Sequence, residues 1–184
     1  MEDKIDDRKL TKNLFITGTP GVGKTMLLRE VCLPYMPRLG GFYTETVMDG
    51  NTREGFILKT LCGKYNGILA KKGMKAKHKL NKYGIDLTVL DNIGVIAVDN
   101  AVATRDLVVI DEIGTIEILS PRFCECVARA LASKKKVLAT IRMNAQPFSD
   151  EIKRMYDSEV VEVTRQNYLE VKKYVKEWLG KVLT

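Results

Sequence analysis

The residues 18-GTPGVGKT-25 satisfy the pattern G-x-x-x-x-G-K-[ST]. Gly18, Gly21 and Gly23 let successive backbone N–H groups turn inward as a nest for an anion. Thr19, Pro20 and Val22 complete the loop, and the helix expected behind it adds its partial positive charge. Lys24 is then placed to reach the β- and γ-phosphates of a nucleotide, and the Thr25 hydroxyl to ligate magnesium. A purely structural glycine turn is the plainer alternative. The apolar run before the loop and the helical run after it weigh against that.

A second stretch, 107-LVVIDEIGTIEILS-120, supplies acids. Asp111 closes an apolar strand, at the strand end where open α/β sheets gather their ligands. A carboxylate there helps to hold magnesium, so Thr25 and Asp111 form the expected metal pair. Glu112 follows directly and can polarise a water in line with a γ-phosphate, which suits hydrolysis. A second acid on a polar loop is its plainer reading. Glu117 is either an orienting group behind the site or a charge at a helix entry. Hydrolysis also needs positive charge on the γ-phosphate oxygens as the transition state forms. Arg53 and Arg142 are the candidates, and Arg142 is preferred because it ends the strand-like run 136-KVLATIR-142. The expected catalytic residues are therefore Glu112, Lys24 and Arg142.

Alternating apolar runs and helical stretches must position these groups. Strands are expected over 13–18, 42–48, 54–61, 66–70, 85–90, 107–110, 136–141 and 159–163. Helices are expected over 24–33, 92–103, after Ser120-Pro121, over 148–156, and from a Thr164 cap to about Leu179. The turn 49-DGNT-52 joins two of the strands as an antiparallel hairpin. In the last helix Tyr168, Val171, Val175, Trp178 and Val182 form a core stripe. The pattern predicts a single domain over 1–184: a mostly parallel α/β sheet covered on both faces, with an added hairpin.

Composition limits the function classes. Hydrophobic residues make up 45% of 184, an ordinary share for a globular domain, and no apolar run is long enough to predict a membrane span. The opening MEDKIDDRKL is polar and of mixed charge, unlike a secretory signal, so a cytoplasmic protein is expected. Cys124 and Cys126, two apart on a helix, point to different sides and make a poor metal clamp. The cysteines are expected reduced, and His78 is expected in a solvated loop. The formal charge of +7 concentrates in eight lysines from Lys59 to Lys82, a span without an acid. That span reads as a long connection: a solvated loop, a phosphate-facing rim, or a grip on nucleic acid.

The chain resembles the small P-loop nucleoside-triphosphatases first described from thermophiles, relatives of the human cancer-related nucleoside-triphosphatase. The resemblance runs through 17-TGTPGVGKT-25, 41-GFYTETV-47, 53-REGF-56, 82-KYGIDL-87, 109-VIDEIGTIEILS-120, 151-EIKR-154 and 161-VEVTRQN-167. It implies a three-layer, RecA-like P-loop fold and slow hydrolysis of several nucleoside triphosphates with magnesium. It further implies phosphate binding by Gly18 to Thr25, a magnesium-linked Asp111 and a catalytic Glu112. Two positions depart from the family pattern. Thr115-Ile116-Glu117 stands where Lys-Met-Glu is usual, and Met48 follows Thr46-Val47 where an arginine usually follows Glu-Val. No Asn-Lys-x-Asp segment reads guanine, so broad base selectivity is expected, in a monomer or weak oligomer. A nucleotide or nucleoside kinase is the runner-up, although the mobile segment such kinases close is usually arginine-rich. A nucleotide-controlled RNA-binding module is the third reading.

Overall fold

A computed structural model describes residues 11–184. The reading of the first ten residues lies outside them. Nine strands form one sheet: β1 (Asn13–Thr17), β2 (Leu39–Asp49), β3 (Thr52–Thr60), β4 (Asn66–Lys72), β5 (His78–Leu80), β6 (Tyr83–Ile85), β7 (Leu107–Ile113), β8 (Lys136–Ile141) and β9 (Ser158–Glu162). Their order is β5-β6-β4-β3-β2-β7-β8-β1-β9. The run from β2 to β9 is parallel, and β3, β4, β6 and β5 extend it antiparallel beyond β2.

Strict alternation along the parallel strands builds two cores, because successive side chains leave a strand on opposite faces. Phe15, Val108, Ile110, Val137 and Ala139 point to one face; Leu14, Ile16, Leu107, Val109 and Leu138 point to the other. Helices α1 (Lys24–Cys32) and α6 (Tyr168–Val182) cover the second face. The first is covered by α3 (Val95–Thr104) and α4 (Pro121–Ala132), with α2 (Leu87–Val89) leading into α3 through a π-helical turn and α5 (Pro147–Lys153) flanking. The expected stripe on α6 does pack inward: Val171, Val175 and Trp178 are buried. The three-layer P-loop architecture is present.

Several expectations are corrected. The strand placed over 85–90 ends at Ile85, because Asp86 accepts a hydrogen bond from the Thr88 amide at 2.9 Å and starts a helix. Leu90, Gly94, Val98 and Ala101 then bury at helical spacing. That continuous stretch, Leu87–Thr104, is long and apolar enough to cross a membrane, yet its buried stripe packs on the sheet. The lysine-rich stretch after the strand expected at 66–70, which is β4, is no open connection either: it folds as β5 and β6, and Lys59 pairs with Glu45 and Lys72 with Glu54. The added hairpin and the strand at 66–70 are thus joined by two further antiparallel strands, and His78 belongs to β5, half-buried, not to a loop. Lastly, Asn167 starts α6; Thr164 exchanges hydrogen bonds with it one turn earlier.

Candidate active site

The glycine-rich loop leaves β1 with Gly18 at φ 148°, where an added Cβ would lie 2.4 Å from the Val163 carbonyl oxygen. Only glycine lets the loop turn this tightly against the end of β9. A ring from α6, Tyr168, stands beneath Gly23 and supports the loop from the other side. Lys24 begins α1, and its Nζ arches back to donate to the carbonyls of Gly18 at 2.9 Å and Thr19 at 3.3 Å. The ammonium is therefore held over the nest that the loop amides form.

Two strands away, β7 delivers Asp111 into a buried position, 1% exposed. Its Oδ1 accepts a hydrogen bond from the Thr140 hydroxyl on β8, while Oδ2 is buried without a partner among the described residues. Burial pushes this carboxyl up. The Thr140 and Thr25 side chains, the nearby Lys24 charge and the Thr44 amide act in the opposite direction. A buried carboxylate oxygen left over, beside the Thr25 hydroxyl, is the donor set a hard cation takes. The residues fit magnesium.

Glu112 follows on the same strand through a cis peptide bond. Its carboxyl is pushed up by burial first and then by the Asp111 charge, against Lys24 and Arg142. Gly114 leaves room for it, since a Cβ there would sit 2.3 Å from Glu112 Oε1. Behind both stands Glu117, buried and pushed up to about 8 by desolvation and the Glu112 charge. The two readings open for Glu117 meet here: it opens the short 3-10 helix Glu117–Leu119 and is buried there, behind the site.

Lys24, Thr25, Thr44, Arg53, Glu112 and Glu117 all line one cavity of about 900 Å³. Arg142 is not among its lining residues; its Nε donates to the Asn144 carbonyl at 3.1 Å, and its charge still acts on Glu112. Arg53 does face the cavity, and it stands over the Phe56 ring at 5.5 Å.

The family model described as NTPase matches residues 13–176. The chain belongs to this NTPase family. The nucleoside-triphosphatase THEP1 of Thermotoga maritima is 39% identical over 154 residues, spanning 84% of this chain and 87% of that protein. A cancer-related nucleoside-triphosphatase homolog from Bos taurus is 33% identical over 174 residues, spanning 86% and 91%. The crystal structure of THEP1 from Aquifex aeolicus superposes with a TM-score of 0.80 at 29% identity, covering 89% of this chain and 96% of that one.

Several supporting groups of this family member escape a reading of local patterns. Thr140, 29 residues from Asp111, and the Thr44 amide on β2 meet the aspartate only through strand pairing. Thr140 carries a weak signal, a polar residue inside the otherwise apolar run 137-VLATI-141. The Tyr168 ring beneath the loop carries none.

Proposed function

We propose that the protein is a magnesium-dependent nucleoside-triphosphatase that converts a nucleoside triphosphate and water to the diphosphate and phosphate. One observation carries the reading: Glu112, half-buried, opens on the same cavity as Lys24 and directly follows the buried Asp111. The names of the relatives agree with hydrolysis, and the kinase reading is not favoured.

In this proposal residues 18 to 25 and Lys24 bind the phosphates, with Thr19, Pro20 and Val22 contributing backbone to the nest. Thr25 and Asp111 would hold magnesium, which supplies charge neutralisation to the β- and γ-phosphate oxygens when bound. Glu112 orients the attacking water and accepts its proton; the raised affinity of its carboxyl for a proton suits that role. Lys24 supplies positive charge to the γ-phosphate as it is transferred. Arg142 steadies Glu112 electrostatically in this reading, and Arg53 stands apart from it. The absence of a guanine-reading motif supports broad use of ATP, GTP and other triphosphates. Four free cysteines suit a reducing cytoplasmic setting. With Lys59 and Lys72 engaged by Glu45 and Glu54, the lysine-rich strands are read as a solvated face in preference to a nucleic-acid grip.

The test follows free phosphate from Mg-ATP with and without nucleoside, nucleotide and RNA acceptors. Acceptor-independent release is expected, reduced about 10²-fold or more in Glu112→Gln, with ATP binding intact. Labelled acceptor without free phosphate would overturn hydrolysis.

A further inference from the structure

The cavity extends well past the phosphate loop. Glu112 stands on β7, two strands from the loop strand β1, and the wall continues over β2, β3, β4 and β6, farther along the sheet. A nucleotide bound as proposed does not cover that far part. In-line displacement puts the attacking group on one side of the γ-phosphate and the leaving diphosphate, with its ribose and base, on the other. Glu112 marks the attacking side, so the wall beyond it faces away from the base.

That wall combines aromatic rings with a cation. The rings of Phe56 and Tyr83 meet edge to face, with centroids 5.6 Å apart at 64°. Leu80, half-buried, continues the apolar surface over the buried Leu69. The Arg53 guanidinium stands above Phe56 and has no carboxylate partner among the described residues, unlike Lys59 and Lys72 nearby. The Tyr83 hydroxyl donates to the Arg53 carbonyl at 3.2 Å and ties β6 to β3 at this point. An aromatic surface takes a planar ring, and an unpaired guanidinium takes a phosphate, ideally through two parallel hydrogen bonds.

We infer that this compartment is a second ligand site for a nucleoside monophosphate, its base against Phe56 and Tyr83 and its phosphate at Arg53. The assignment rests on the triphosphate lying in the glycine-rich loop with its γ end toward Glu112. The site is separate from the loop, so both ligands bind together.

Calorimetric titration tests this on the full chain saturated with magnesium and a non-hydrolysable ATP analogue. The titrants are AMP, GMP, CMP and UMP, the matching nucleosides, and inorganic phosphate. Saturable binding of at least one monophosphate is expected, stronger than its nucleoside or phosphate alone. Arg53→Gln should weaken it about tenfold, the effect of losing one charge-assisted contact, and leave affinity for the analogue unchanged. Tyr83→Leu provides a second variant on the aromatic side, with the same pattern expected. A wild-type protein that binds the analogue but no monophosphate overturns the inference. So does a monophosphate displaced by further analogue, or an Arg53→Gln variant that loses the analogue equally. Failure of the hydrolase reading would instead appear as absent analogue binding or absent acceptor-independent phosphate release.

Discussion

Glu117 shows what a single buried acid contributes beyond its neighbours. In an unfolded chain its carboxyl ionises near 4.5; in the fold it holds its proton to about 8. The folded protein therefore binds more protons than the unfolded chain between those values, and stability falls as pH rises through this window. Below it the group is neutral in both states and costs nothing. Glu117→Gln, which cannot ionise, should be close to the wild type near pH 4.5 and exceed it above pH 8, by up to about 5 kcal/mol, the equivalent of the full shift. Urea unfolding of both proteins at the two ends of the window checks this; equal stability throughout would show that Glu117 does not carry the shift. The residues proposed to do the chemistry were legible in the sequence, because Lys24, Asp111 and Glu112 each sit in a short local pattern. Glu117 remained ambiguous there, since its burial depends on the turn that folds residues 114–120 back beneath Glu112.

At the scale of elements, the approach of β2 to β7 governs the site. Gly41 pairs with Val109, has φ 121°, and would bring an added Cβ to 1.9 Å from the Val109 carbonyl oxygen. The same pairing carries the chain on to Thr44, whose amide acts on Asp111. Gly41→Ala should thus cost about 3 kcal/mol or more through a side chain in a disfavoured backbone region and a split strand pair. Its unfolding midpoint is the measurement, and a change below about 0.5 kcal/mol, typical of a neutral surface site, would contradict the account. The parallel strands were legible because they bury both faces and read as apolar runs. The strands β5 and β6 were not. They are three residues each, and β5 stands at the sheet edge, where lysines such as Lys79 discourage pairing with another chain and disguise the strand as a loop.

At the scale of the whole molecule, the two cores cannot come apart independently, because the same strands build both. Phe15 packs on one face while its neighbours Leu14 and Ile16 pack on the other, and β7 and β8 repeat the arrangement. Even the antiparallel extension shares in this: Leu58 and Leu69 belong to the core that contains Phe42 and Ile110. The strand order itself was beyond the sequence, since each parallel neighbour is fixed by contacts between segments far apart in the chain. The single tryptophan, Trp178, sits in the other core and donates to the Thr11 carbonyl at 3.0 Å. Its fluorescence therefore reports one face, while far-UV circular dichroism reports every strand and helix. One cooperative unit requires the two probes to give coincident urea transitions. Mg-ATP should move both midpoints upward together in the wild type, by mass action on the folded state alone, and move neither in Lys24→Ala. If circular dichroism changed at lower urea than Trp178 fluorescence, the strands from β3 to β6 would form a separate unit, and the far wall of the cavity would open without the phosphate loop.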